Sequence, residues 1–199
     1  MKADVMNDDS RLEVVSLFKR GDWQTLLNLV SRGELGELYL WVHPTEQDLH
    51  YLARELTSAG IQSVLSVGCG TGLLEWLLQS VTGLQVQGLE VDRSWWESPY
   101  SPPTFIPLHY ADEDDVVCSP QTALLFCYFN NRPAFLNYVA SFTGKCVVVI
   151  GPDEGSGRHT DPQPFDSQLH DMGWTVQSAT KIQNTVDYIV IYRPQSLPH

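Results

Sequence analysis

Three glycines at alternate positions, Gly68-Cys69-Gly70-Thr71-Gly72, follow directly on the apolar run 63–67 and precede a stretch of helical periodicity. A glycine-rich turn after a strand lets backbone amides approach a ligand closely, because no side chain keeps the ligand away. The spacing is GxGxG. A dinucleotide fingerprint would place its third glycine where Leu73 stands, and no Lys-Ser/Thr pair follows the glycines. The pattern therefore disfavours a nicotinamide or flavin site and excludes a phosphate-cradling P-loop. Eighteen residues after Gly72, the run Val86-Gln87-Gly88-Leu89-Glu90 ends in a carboxylate. At the end of a second strand such a group can accept both hydroxyls of a ribose. Twenty-two residues later comes His109-Tyr110-Ala111-Asp112, where a carboxylate can take a hydrogen bond from an adenine amino group. Asp92 competes locally with Glu90, and Asp112 opens the acidic run 112–115, which also reads as a solvated turn.

Further along, Tyr128, Asn130 and His159 are the candidates for work on a second substrate. Tyr128 closes an apolar run and reads equally as core or as pocket wall. Asn130 and Asn131 can orient an amine or hydroxyl, or serve as turn residues before Arg132-Pro133. His159 is a candidate general base in a glycine- and proline-rich loop, against the commoner reading of a solvated histidine. Trp95 and Trp96 can cover a ring or pack at a helix edge. His43, His50, His109 and His170 share no ligand spacing with the cysteines, so no metal site is expected, and no GxSxG elbow is present.

These residues need elements to position them. Ser10-x-x-Glu13 reads as a capping box for a first helix, Asp22 caps a second, and Thr45-x-x-Asp48 opens a third that runs to about Ser58 and stops at Gly60. From Ile61 onward, strand-like runs at 63–67, 84–90, 104–109, 123–129 and 145–150 alternate with helix-length segments at 72–80 and 134–142. Strand–helix alternation with continuous apolar strands predicts a doubly wound α/β fold, a mostly parallel sheet covered on both faces. The last two runs, 174–182 and 187–192, are separated by only four residues. That is too short for a parallel crossover, so an antiparallel terminal hairpin and seven strands in all are expected. Residues 151–164 read as one long loop.

The chain has 199 residues, 43% of them apolar, and 12 Lys+Arg against 24 Asp+Glu, a net charge of −12. The apolar content excludes a disordered chain, and the acidity disfavours nucleic acid while suiting a cationic ligand or a basic protein. No signal peptide is visible at the N-terminus, and the longest apolar run, 123–129, is far too short to span a bilayer. Cys69, Cys118, Cys127 and Cys146 form no CxxC pair. A cytoplasmic or nuclear protein with reduced thiols is the expectation.

Residues 64–112 resemble the cofactor half of class I S-adenosylmethionine-dependent methyltransferases. The glycine loop resembles their first motif, Glu90 their ribose-binding acid, Asp112 their adenine-binding acid, and the terminal hairpin the reversed last strand of their Rossmann-like fold. Residues 40–169 further resemble a divergent, uncharacterised methyltransferase-like branch that carries Pro-Thr-Glu before the first strand, here Pro44-Thr45-Glu46. Members have Cys-Trp-Pro-Pro after the fourth strand and Val-Gly-Glu with a glycine-rich loop after the fifth. This chain reads Cys127-Tyr128-Phe129-Asn130 and Ile150-Gly151-Pro152-Asp153-Glu154 there. The resemblance implies an N-terminal helical extension over 1–59 and a cofactor domain over 60–199. Within that domain it implies S-adenosylmethionine held by Gly68, Cys69, Gly70, Gly72, Glu90 and Asp112. It also implies methyl transfer to a protein or small-molecule acceptor. A methyltransferase-like binding or scaffold protein is the alternative, because the departures fall where methyltransferases meet their substrate.

Overall fold

The computed structural model describes residues 8–37, 39–112 and 119–195; Cys118 and the rest of the acidic run after Asp112 lie outside them. Among the described residues the strands are β1 (Ser63–Val67), β2 (Gln85–Glu90), β3 (Leu108–Tyr110), β4 (Thr122–Cys127), β5 (Cys146–Pro152), β6 (Trp174–Lys181) and β7 (Asp187–Pro194). They form one seven-stranded sheet in the order β3-β2-β1-β4-β5-β7-β6. The first five pair in parallel. β7 runs antiparallel to both β5 and β6, so the terminal hairpin inserts its second strand and leaves β6 at the edge. The strand order reverses between β1 and β4, the point where an open α/β sheet leaves a crevice beyond its carboxyl ends.

The helices are α1 (Asp8–Arg20), α2 (Trp23–Ser31), α3 (Glu46–Ser58), α4 (Leu73–Thr82), α5 (Arg93–Trp96), α6 (Arg132–Ser141) and α7 (Ser167–Asp171). α3 has the capping box expected of it, Thr45 and Asp48 bonding each other's backbone amides. Asp22 caps α2 by accepting from the Thr25 amide. Ser10, expected to cap α1, lies within the helix, which already begins at Asp8. The one-turn helices α5 and α7 are too short to show a period in sequence.

Side chains alternate along the strands between two cores. Val64, Ala123, Leu125, Val148 and Ile191 face a cluster that also buries Val14, Leu17, Leu26, Val30, Leu52 and Leu77 from α1–α4. Leu65, Leu124, Phe126, Val147 and Val190 face the other cluster, with Phe135 and Val139 of α6 and Leu169 of α7. The period of two is what a sheet covered on both sides requires.

One expected strand and one expected loop differ from the structure. The run 104–109 forms pairs only at its end, in β3; before that, the Phe105 amide donates to the Thr71 carbonyl at 2.8 Å. Phe105 and Ile106 are buried under the glycine loop instead of in the sheet. Apolar burial explains their hydrophobicity as well as a strand would. The loop expected over 151–164 is partly strand, since β5 continues through Pro152. Its far end is pinned by the Asp161 amide on the Phe129 carbonyl and by Arg132, 2.6 Å from Asp161.

Leu26 is fully buried and Leu12 is 65% exposed, although both lie in the N-terminal helices. Leu26→Ala is expected to cost about 2–5 kcal/mol of unfolding free energy, and Leu12→Ala less than about 0.5 kcal/mol. Urea denaturation of the two variants measures both.

Candidate functional site

β1 ends at Val67, and the chain must then turn sharply to start α4. Gly68, Gly70 and Gly72 all take left-handed backbone angles, with φ of +70°, +62° and +74°. The two outer glycines are also required by packing. A Cβ at Gly68 would lie 2.9 Å from the Phe129 ring, and one at Gly72 would fall 2.4 Å from Ile106 Cγ1. A Cβ at Gly70 would meet nothing within 4 Å, so this residue presents bare backbone to open space. Hydrogen bonds hold the turn. The Gly68 amide donates to the Leu89 carbonyl at 2.8 Å, the Gly70 amide to Glu90 Oε1 at 2.6 Å, and the Thr71 hydroxyl to the Tyr39 carbonyl at 2.7 Å.

Beside the turn lies a pocket of about 250 Å³, lined by Gly68, Cys69 and Gly70, by Tyr39 and Trp41 from the α2–α3 connection, by Trp96 of α5, and by Cys127 at the end of β4 and Tyr128 just beyond it. Two carboxylic residues, Glu37 and Glu75, belong to its lining, and no Lys, Arg or His does. Glu75 stands in the first turn of α4 and is 1% exposed. Its Oε1 accepts from the Ser66 hydroxyl at 2.6 Å, while its Oε2 makes no hydrogen bond among the described residues. Burial pushes its pKa up to about 7, with the Ser66 bond opposing and the charge of Glu90 adding to the rise. Burial also raises Glu90, and the Gly70 amide pulls it back. The thiols of Cys69 and Cys127 are driven far up by burial and by the neighbouring carboxylates, so both are neutral SH groups.

Tyr128 takes φ +49°, an unusual conformation for a side chain of its size, and its strain of about 1–3 kcal/mol marks a site fixed by its surroundings. Its hydroxyl donates to Asp187 Oδ1 at 2.6 Å and accepts from Arg158 Nη1 at 3.2 Å. Its ring stacks on Trp41 at 5.9 Å between centroids. Burial raises the Asp187 pKa, and the Tyr128 bond and Arg158 oppose that rise. Arg158 also lies 3.4 Å from Glu37, joining the α2–α3 connection to the loop after β5.

The structure brings Gly68, Cys69, Gly70 and Tyr128 together at the pocket wall. Glu90 stands behind the wall, bonded to Gly70. Gly72 caps α4 and packs on Ile106. Asp112 has a 77% exposed side chain, 3.6 Å from Arg93. Asn130 pairs with Asp161 in a one-residue bridge, Asn131 caps α6, and His159 is exposed and outside the pocket. Of the tryptophans, Trp96 lines the pocket and Trp95 is 44% exposed. Sequence reasoning missed Glu37, Tyr39, Trp41, Glu75, Arg158 and Asp187. Glu75 alone had a local signal, a carboxylate inside Leu73-Leu74-Glu75-Trp76-Leu77-Leu78.

No protein-family model matches the chain, and no curated protein does. Among solved structures it is similar to the methyltransferase domain of bacterial CtHen1-C, at 18% identity and a TM-score of 0.52, over 76% of this chain and 98% of that one. It is similar to bacterial CtHen1-CN at 16% identity and a TM-score of 0.51, over 74% and 98%. The likeness is one of fold: the chain has the seven-stranded, Rossmann-like methyltransferase architecture. No helix among the described residues is long and apolar enough to cross a membrane.

Glu75 also sets a pH dependence. Its folded pKa of about 7 exceeds the reference value of 4.5, so the stability present below pH 4.5 is lost as the pH rises through 7. Glu90, Cys69, Cys127, Tyr128 and Glu37 are the other titratable groups around it. Glu75→Gln keeps the shape and removes the titration. The variant is expected to gain about 3 kcal/mol on wild type between pH 4 and pH 8, read from urea melts across that range.

Proposed function

We propose that this protein binds S-adenosylmethionine in the pocket beside the β1–α4 turn and transfers its methyl group to a protein or small-molecule acceptor. The observation that carries the reading is the turn itself: the bare backbone of Gly70 faces open space and is tied to Glu90 at 2.6 Å, at the point where the sheet order reverses. An S-adenosyl ligand fits the donor set in two respects. The lining holds carboxyl groups and no basic residue, which suits a cationic ligand, and Glu75 offers an acceptor oxygen with no partner among the described residues.

In this reading the backbone of Gly68, Cys69 and Gly70 runs along the ligand, and Gly72 starts the helix that fixes it. Glu90 uses one oxygen to hold Gly70 and offers the other to the ribose hydroxyls. Asp112, on the same edge after β3, is assigned to the adenine amino group in competition with Arg93. When bound, S-adenosylmethionine supplies a methyl group already activated by its sulfonium, so the protein's main task is to hold a nucleophile in line at roughly 3 Å. Trp41 and Tyr128 are placed to wall the acceptor side and exclude water. Tyr128, fixed by Asp187 and Arg158, orients the acceptor. Asn130 and His159 have no pocket position to support a catalytic role. The acidic surface favours a protein or small-molecule acceptor over nucleic acid.

A specific observation favours a second reading, a methyltransferase-like binding protein without turnover. Beyond β4, where the resembling branch carries two prolines, Phe129 packs against Gly68 and Asn130 is paired with Asp161. Both serve the fold. Under this reading the cofactor pocket is kept and acceptor chemistry is absent, so ligand binding with no turnover distinguishes it.

Calorimetry with S-adenosylmethionine and S-adenosylhomocysteine, with NAD as control, tests the proposal; tighter binding of NAD would overturn it. Gly70→Val is expected to abolish binding; the space beside Gly70 is open but its φ of +62° strains a β-branched residue, so the loss is read only on a variant whose fold circular dichroism confirms. Glu90→Ala is expected to weaken S-adenosylhomocysteine about 5- to 150-fold.

A further inference from the structure

Glu75 has a feature that neither the fold nor the glycine turn requires. It is a carboxyl group in the lining of the pocket, 1% exposed, with one oxygen bonded to Ser66 and the other without a hydrogen-bond partner among the described residues. Leaving a buried acceptor unmade is costly, so one in the lining of a pocket calls for an explanation. The surroundings state what would complete it. From β1 comes only the Ser66 hydroxyl, and from the end of β2 the carboxylate of Glu90. The turn and the end of β4 supply the neutral thiols of Cys69 and Cys127. Tyr128 and Glu37 line the pocket with it, and Arg158 is engaged with both of them outside the lining. No cationic side chain of the pocket can answer this oxygen, so the complement has to arrive with a ligand.

The missing partner must carry both positive charge and a hydrogen to donate. A sulfonium has the charge but no N–H or O–H. A primary ammonium has the charge and three donors, and it forms the short, charge-assisted bond that a carboxylate accepts best. We propose that Glu75 is the counter-charge for the ammonium of an amino-acid-bearing ligand, holding its proton until that ammonium reaches Oε2 and then releasing the proton to solvent. This rests on the S-adenosyl reading of the pocket and deepens it: the same site recognises the amino-acid portion of the ligand through α4, and binding is coupled to one proton. The rise in the Glu75 pKa from burial is in the direction the coupling needs, because a group that is neutral beforehand can ionise only when the ligand supplies the opposite charge.

Two probes separate this from the ribose contacts. S-adenosylhomocysteine carries the ammonium and no sulfonium; 5′-methylthioadenosine carries the nucleoside and no ammonium. For wild type, the affinity for S-adenosylhomocysteine is expected to rise about tenfold per pH unit up to pH 7 and then level off. Calorimetry at pH 6 in two buffers of different ionisation enthalpy should show close to one proton released. In Glu75→Gln the affinity above pH 7 should fall about 10- to 100-fold, with the pH dependence gone. Binding of 5′-methylthioadenosine should be the same in both proteins at every pH. Equal S-adenosylhomocysteine affinities for wild type and variant across the pH range, or no proton released by wild type at pH 6, overturn the inference and leave the S-adenosyl reading standing. So does binding of 5′-methylthioadenosine without S-adenosylhomocysteine. If neither ligand binds wild type, the S-adenosyl reading falls and the inference with it. Should the variant not fold by circular dichroism, the proton count on wild type decides alone.

Discussion

The turn between β1 and α4 is the constraint on which the rest of the site depends. Three glycines two apart all adopt left-handed backbone, and two of them also lack room for a Cβ. Here the amides of all three glycines are taken by the chain itself: Gly68 on Leu89, Gly70 on Glu90 and Gly72 on Cys69. Every neighbouring segment is then placed by contact with it. Phe105 bonds the Thr71 carbonyl, which draws 104–107 out of the sheet and under the loop, and Tyr39 accepts from the Thr71 hydroxyl, which fixes the α2–α3 connection above the pocket.

The N-terminal helices are part of this arrangement. They bury Val14, Leu17, Leu26 and Val30 in the same cluster as α4 and one face of the sheet. Because they are anchored there, the chain leaving α2 must pass over the strand ends before α3 begins, and that passage supplies Tyr39 and Trp41 to the pocket. Hydrophobic burial on the flank thereby produces an aromatic wall at the site. The wall is completed from the far end of the chain, where Asp187 at the start of β7 holds Tyr128 through a hydroxyl bond spanning 59 residues of sequence.

The electrostatics follow from the same packing. Glu90 is brought close enough to Glu75 to raise its cost of ionisation, while the surrounding thiols stay neutral. An acidic chain has many carboxylates in water, where charge costs little. The two at this turn differ because burial removes that solvent, and the hydrogen bonds from Gly70 to Glu90 and from Ser66 to Glu75 only partly offset the loss. The pocket therefore carries carboxyl groups in its lining and no Lys, Arg or His.

What the sequence determined by itself is everything set by local chemistry or by period. The glycine turn, the apolar strands, the capping of α2 and α3 and the terminal hairpin were legible, because turn residues, caps and alternation act over a few positions. The placement of Gly68 and Gly70 at the pocket was legible for the same reason. Short elements and competing uses of apolarity were not. Ser10 looked like a cap and lies inside a helix, and Phe105 and Ile106 looked like strand and serve as a plug. Asp112 follows the end of β3, and its exposure and its ion pair with Arg93 are set by where the loop after β3 lies in space. Glu75, Trp41, Tyr128 and Asp187 were brought together only by tertiary structure. Their roles depend on contacts between segments far apart in the chain, and on a burial that no single segment can produce.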